Sequence, residues 1–296
     1  MRVVDSILGR LLGNQQRYGE YEVVKPLARG GMSTVYIGKD VRNGAQVAIK
    51  ILNATSSEVL KRLSAVFEAE EGKIAMSLES PYVVKTLDYG RKGQVYYIVM
   101  EYIDGPNVRN LVKARDPRLD GLRVKVVLQA GRGLAYIHNM GLIHRDFNPK
   151  NILLTPQNNA KIIDFGLTIP AGVGQRRTID QSGTASYMAP EQIRRQRIDV
   201  RADVYAFGVS AFEILTGKRP FPERAGHERK MQAHLNIQPA VPSEIDPSLP
   251  KELDPIILQS IQKRPEDRYP SMDVMMKDLQ RVVDKHYRQS GAPPMP

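Results

Sequence analysis

Residues 142–154 constrain what this chain can fold into more than any other stretch. Leu142-Ile143 is apolar, His144-Arg145-Asp146-Phe147-Asn148-Pro149-Lys150-Asn151 is mostly polar, and Ile152-Leu153-Leu154 is apolar again. A polar run entered and left through short aliphatic runs predicts a loop held between two buried strands. One carboxylate, three potential cations and two amides are concentrated in that loop. It is therefore the first place to look for chemistry.

Composition narrows the classes around it. The 296 residues suffice for one large or two modest domains. No run approaches the roughly 18 apolar residues that a membrane helix needs. Met1 to Leu12 mixes Arg2, Asp5 and Arg10 with Val, Ile and Leu. It lacks a signal peptide's apolar core and reads as an amphipathic helix before the domain, with a membrane-surface anchor as the alternative. The chain has no Cys, which excludes disulfides, thiolate zinc sites and a Cys nucleophile and fits a reducing cytoplasm. The formal net charge is +11, with basic clusters at Lys113/Arg115/Arg118, Arg176/Arg177, Arg194/Arg195/Arg197/Arg201 and Arg224/Arg229/Lys230. No nucleic-acid-binding motif accompanies them, so they read as a solvated basic surface and no specific nucleic acid partner is expected.

Along the chain, Tyr21–Leu27 and Thr34–Lys39 form a hairpin around Gly30-Gly31. Asn43-Gly44 is a tight-turn signal and Val47–Leu52 a third strand. Leu60, Leu63, Phe67, Ile74 and Leu78 recur at helical spacing over 57–78. Val83–Tyr89 and Val95–Met100 make a second hairpin, which gives a five-stranded sheet with one helix. Asp104-Gly105-Pro106 breaks the pattern. Helical runs then dominate, at 107–113, 122–140, 203–216, 255–261 and 272–286, with one more strand at Lys161-Ile162-Ile163. The tail from Ser290 is Pro/Gly-rich.

Ordered motifs now accumulate. The opening loop fits H-R-D-x-x-x-x-N, Val47-Ala48-Ile49-Lys50 fits V-A-I-K, Asp164-Phe165-Gly166 fits D-F-G, and Ala189-Pro190-Glu191 fits A-P-E. In this order and spacing the chain resembles the protein kinase family over about residues 20–285. It is most similar to the bacterial eukaryotic-like Ser/Thr kinases, through Arg29–Tyr36 and Ala185–Gln192. The resemblance implies an α+β, bilobal protein-kinase fold, with a small antiparallel N-lobe sheet carrying one helix and a larger, mainly helical C-lobe. The implied divisions are an extension over 1–17, an N-lobe over 18–103, a C-lobe over 104–287 and a disordered tail or linker over 288–296.

The same resemblance implies site residues. Asp146 matches the catalytic base, and Asn151 and Asp164 match the ligands of Mg²⁺, with Mn²⁺ as a substitute. Lys50 matches the phosphate-binding lysine that pairs with a helix Glu; Glu71 fits best and Glu70 next, with Glu68 a third candidate. ATP contacts are implied at Ala28, Gly30, Gly31, Val35, Ala48, Lys50, Glu71, Met100, Glu101, Ile103, Asn151 and Asp164. Met100 would be the gatekeeper of the base pocket. His144 reads as scaffold, and Arg145 as a partner for a phosphorylated activation segment. Thr178 and Ser182 are phosphosite candidates, and Thr184 resembles the docking residue of Ser/Thr kinases. Asp203 matches the residue that braces the catalytic loop, and Arg268 the partner of Glu191. The implied partners are a protein substrate with Ser or Thr and a second copy of the kinase for trans-autophosphorylation. The implied location is the cytoplasm, either as a soluble protein or as the cytoplasmic kinase domain of a membrane protein.

One position departs. Asn148 stands where Ser/Thr kinases carry a Lys that neutralises the transferring phosphoryl group. Lys150, at the offset where some tyrosine kinases carry an Arg, is a candidate replacement. Ala28 and Asn148 favour a pseudokinase acting as a nucleotide-binding scaffold. The joint presence of Lys50, Asp146, Asn151 and Asp164 favours an enzyme. A small-molecule phosphotransferase would need neither the A-P-E segment nor Thr184.

Overall fold

A computed structural model describes residues 16–30, 33–52, 71–93, 95–172, 184–222 and 226–290. The chain divides into two compact units, residues 1–79 with 84–104 and residues 80–83 with 105–296.

The first unit is built on β1 (Arg17–Tyr18), β2 (Tyr21–Arg29), β3 (Ser33–Asp40), β4 (Gln46–Leu52), β5 (Thr86–Lys92) and β6 (Val95–Glu101), with a helix, α1, over 71–77. All neighbours are antiparallel, in the order β1-β2-β3-β4-β6-β5. One face of β4 carries Val47, Ile49 and Ile51 into a core with Tyr18, Tyr21, Tyr97 and Val99. Strand alternation then sends Ala48 and Lys50 to the other face. The sheet has six strands where the sequence suggested five. A two-residue strand is too short to show alternation, and β1 is held by burial of Tyr18 and Tyr21 across a turn at Gly19. A second correction concerns Val83. It bridges Ile162 of the second unit, the Ile162 N–H donates to the Tyr82 carbonyl at 2.8 Å, and β5 starts only at Thr86.

The second unit comprises α2 (Val108–Ala114), α3 (Arg123–Asn139), β7 (Leu142–Ile143), β8 (Ile152–Leu154), β9 (Ala160–Ile162), β10 (Ile169–Pro170), α4 (Pro190–Ile193), α5 (Val200–Thr216), α6 (His227–Asn236), α7 (Pro242–Ile245), α8 (Leu253–Ser260) and α9 (Met272–Ser290). Its axis is α5. Asp199 caps the helix by accepting from the Arg201 N–H, and Gly217 ends it in a left-handed conformation. Every residue from Ala202 to Leu215 is buried, as expected for a helix that is apolar all round. Gly208 permits that burial, because a Cβ there would meet the Ser260 hydroxyl of α8. The helix read over 203–216 thus starts earlier. Helix α6, rich in charge, and the short α4 and α7 had not declared themselves by periodicity. Helix α9 runs on to Ser290, into the stretch read as tail. Among the described residues no helix is long and apolar enough to cross a membrane.

Candidate active site

The first unit presents a sheet face of its own. The register pairs Ala28 with Val35, Val35 with Lys50, and Ala48 with Met100. Directly paired residues share a face, as do residues two apart on one strand, so Ala28, Val35, Ala48, Lys50 and Met100 all lie on the face opposite the tyrosine core. Lys50 therefore sits on an interior strand, between β3 and β6, and not on an edge facing water. Its Nζ donates to Glu71 Oε1 at 2.6 Å, with both side chains nearly out of solvent. The choice among three acidic residues falls on Glu71; Glu68 and Glu70 lie outside the described residues. Gly30 N–H donates to the Ser33 carbonyl at 2.8 Å and closes the first hairpin, while Gly31 lies outside the described residues. Glu101 alternates to the opposite face, where its carboxylate accepts from the Lys85 N–H at 2.8 Å. Ile103 follows the strand and is half-buried.

The second unit holds the loop read first from the sequence. It does run between two short strands, β7 and β8, each paired antiparallel with a partner, β10 and β9 respectively. Asp203, buried at the start of α5, accepts from the N–H groups of His144 at 2.7 Å and Arg145 at 2.8 Å, and from His138 Nε2 at 2.9 Å. Burial alone would raise the Asp203 carboxyl, but its bonds to His138 and His144 outweigh that and hold it below the ordinary carboxylate range. Arg145 takes a left-handed φ of 69°, uncommon for a side chain other than Gly. Asp203 is thus the fixed anion that holds this turn. Below the loop, His144 is buried and edge-on to Phe147 and Phe165, and Phe147 packs on Phe207 of α5. Burial pushes the His144 ring toward its neutral form, which suits scaffold.

Asp146 is held at both oxygens. Oδ1 accepts from the Thr184 N–H at 2.9 Å and Oδ2 from Asn151 Nδ2 at 3.3 Å. The Thr184 side chain also bonds to it. Burial raises its pKa above the usual Asp value, and the Thr184 bonds and His144 offset only part of that.

Asn148 is fully buried and engaged at both ends. Nδ2 donates to the Asp146 carbonyl at 2.8 Å, and Oδ1 accepts from the Lys150 N–H at 3.0 Å, capping the short 3₁₀ turn Pro149–Asn151. Asn151 Nδ2 reaches the same Asp146 carbonyl at 3.0 Å. Lys150 is exposed. The position that departs from the family pattern is thus a clasp on the backbone of Asp146, and the nearby Lys150 cation is on the solvent side.

Asn151 spends its amide nitrogen on Asp146, so its oxygen is the end that could face a metal. Asp164, exposed with a left-handed φ of 74°, accepts from the Gly166 N–H at 3.2 Å. An amide oxygen and a carboxylate are hard ligands that suit Mg²⁺, which usually completes its shell with water and phosphate. Among the described residues no group of three or more His, Asp or Glu gathers into a metal site.

Sequence reasoning overlooked several supports. Gln192 Oε1 accepts from the Ala189 N–H at 3.0 Å, and its Nε2 donates to the Arg145 carbonyl at 3.1 Å, tying α4 to the catalytic loop. Tyr187 donates to the buried Glu213, and Arg219 Nη1 donates to Ser186 Oγ at 2.7 Å. The available signal was polar residues, Glu213 and His138, inside helices otherwise bound for the core. Thr178 and Ser182 lie outside the described residues. Arg268 forks onto Glu191 through Nη1 and Nη2 at 2.7 and 2.8 Å.

Known proteins resemble this chain over most of its length. The model of the protein kinase domain matches residues 21–279. The serine/threonine-protein kinase PknB of Mycobacterium leprae is 35% identical over 282 residues, covering 93% of this chain and 44% of that protein. A probable serine/threonine-protein kinase of Streptomyces coelicolor is 34% identical over 276 residues, covering 90% of this chain and 40% of that protein. The chain therefore spans less than half the length of these curated relatives. Among solved structures, the PknI kinase domain of Mycobacterium tuberculosis aligns with a TM-score of 0.70 at 25% identity, covering 91% of this chain and 98% of that one.

Proposed function

Because the chain belongs to the protein kinase family, and is most similar to bacterial Ser/Thr kinases, we propose that it transfers the γ-phosphoryl group of ATP to Ser or Thr hydroxyls of proteins. The observation that carries this reading is Asp146, fixed at both carboxylate oxygens by Thr184 and Asn151. A base so held is oriented to accept the proton of an incoming hydroxyl. Burial keeps its proton affinity above that of a solvated Asp, which strengthens it as a base.

Bound Mg²⁺ supplies charge neutralisation on the phosphates; Asn151 and Asp164 would hold it. Lys50, ordered by Glu71, binds the α- and β-phosphates. Ala28, Gly30, Gly31, Val35, Ala48 and Met100 line the nucleotide, with Glu101 and Ile103 offering backbone groups to its base. Lys150 supplies the positive charge that Asn148 cannot. Thr184 positions the acceptor residue. Thr178 and Ser182 are the sites at which a second copy modifies the chain, and Arg145 receives the resulting phosphate. The domain works in the cytoplasm, by itself or as part of a longer membrane protein.

The alternative is a pseudokinase that binds nucleotide and transfers little phosphate, favoured by the engagement of Asn148 within its own loop. Incubation with labelled ATP and Mg²⁺ or Mn²⁺, beside an Asp146→Asn control, separates the two. Label on Ser or Thr that the control lacks supports the enzyme. Nucleotide binding without label supports the pseudokinase, and equal label in the control removes Asp146 as base.

A further inference from the structure

His234 lies on α6, in a charged segment whose function the loop chemistry leaves unexplained. Its ring is almost fully buried. Nδ1 lies 2.8 Å from the Tyr205 hydroxyl of α5, and the ring also hydrogen-bonds to the Ser186 backbone. Edge-on contact with Phe221, 4.7 Å between centroids, fixes the ring plane, and Lys263 Nζ donates to the His234 carbonyl at 2.8 Å. Burial, with Lys263 and Arg219 nearby, pushes the imidazole down to about 4, so the ring is neutral at pH 7. A neutral ring has one donor and one acceptor. With Nδ1 accepting from Tyr205, the proton resides on Nε2, which donates to the Ser186 carbonyl. That carbonyl belongs to a buried residue, and such a group needs a partner.

Ser186 stands two residues after Thr184, in a turn closed by Tyr187 N–H on the Thr184 carbonyl at 2.8 Å. Thr184 is the residue whose N–H fixes Asp146. A path of hydrogen bonds therefore runs from the buried α5 through Tyr205, His234 and Ser186 to the turn that orients the base. The apolar side of the same turn rests on α6, with Ala185 and Met188 packed on Met231.

We propose that His234 is a positioning residue for the acceptor-docking turn 184–188, holding the Ser186 carbonyl from helix α6 so that Thr184 presents the protein acceptor to Asp146. This rests on the kinase reading above. His234 touches no reacting atom, so it sets how well the protein acceptor is seated and leaves nucleotide binding alone.

The test compares wild type with His234→Ala, His234→Gln, His234→Asn and Tyr205→Phe, measuring KM for a Ser peptide, KM for ATP, kcat, thermal midpoint and amide exchange over 184–188. A Gln nitrogen reaches the place of Nε2, whereas Asn reaches only that of Nδ1. Losing one hydrogen bond to a buried carbonyl predicts a peptide KM about five- to tenfold higher in His234→Ala, with KM for ATP unchanged and faster exchange at Ser186 and Tyr187. His234→Gln should return the peptide KM to within about twofold of wild type, and His234→Asn should not. Tyr205→Phe should give a smaller rise than His234→Ala. A wild-type peptide KM and wild-type exchange in His234→Ala would overturn the proposal. So would a Gln variant no better than Ala, with only the thermal midpoint lowered, which marks plain packing. If wild type transfers no phosphate, the kinase reading fails by itself, and amide exchange still decides whether His234 holds the turn.

Discussion

Lys50–Glu71 in the first unit and Glu191–Arg268 in the second are both ion pairs withdrawn from solvent, yet they are built for different ends. Arg268 is saturated by protein. Its fork meets both Glu191 oxygens, and the same guanidinium donates to the carbonyls of Gln262 at 2.7 Å, Arg201 at 2.9 Å and Lys263 at 3.1 Å. A planar, permanently charged group with every donor engaged is a fastener between segments. Lys50 meets Glu71 at 2.6 Å, on the sheet face it shares with Ala28, Val35, Ala48 and Met100. A compact ammonium on a flexible stem can turn toward a phosphate while keeping its carboxylate. The difference teaches that burial and opposite charge do not by themselves mark function; the chemistry of the cation and the face it lies on distinguish the two pairs.

That contrast can be broken experimentally. Arg268→Met strands Glu191 in the core and should lower unfolding free energy by roughly 3–5 kcal/mol in urea titration. Lys50→Met should depress phosphoryl transfer about 100-fold or more through lost charge stabilisation, while the chain stays folded by circular dichroism. If Lys50→Met unfolds the protein as readily as Arg268→Met and nucleotide affinity is unaltered, the contrast fails.

Smaller effects sharpen it inside the catalytic loop. Asn148→Ala leaves the Lys150 N–H without its cap and the Asp146 carbonyl with one donor fewer, and should cost about 1–3 kcal/mol by thermal unfolding. Lys150→Met should reduce kcat about tenfold with nucleotide affinity unchanged, if its charge substitutes for the missing Lys. An unchanged kcat would return Lys150 to the solvent surface. The pH profile should show the least dramatic change. Asp146 must be ionised to accept a proton, and burial raises its folded value. Activity should therefore fall with decreasing pH along a limb that lies above the ordinary Asp value of about 3.9.

The sequence was most readable where a strand or helix had a long, regular pattern and where chemistry imposed a fixed spacing. Val47–Leu52, the turn at Asn43-Gly44 and the loop 144–151 all appear where their residues pointed. Boundaries were less legible, because Val83 is apolar enough for a strand yet its partner, Ile162, is distant in sequence. Strand β1 was too short to alternate, and α6 has too few apolar residues to reveal its face. Pairings defined by spacing were readable: Lys50 with Glu71, Asp203 with the 144–145 backbone and Arg268 with Glu191. The supports that act through one long-range bond, such as Gln192 on the Arg145 carbonyl or His138 on Asp203, carry no local signature. Asn148 was visible as a departure, but only the fold shows both ends of its amide occupied by the loop backbone.

The most direct measurement is single-turnover transfer from ATP–Mg²⁺ to a Ser-containing protein substrate, for wild type and for Asp146→Asn, with nucleotide affinity determined in parallel. Removing the oriented base predicts a fall of about 10²–10⁴-fold in the transfer rate at equal nucleotide affinity. Equal rates for the two proteins, or no transfer by wild type despite bound nucleotide, would contradict a kinase built around Asp146.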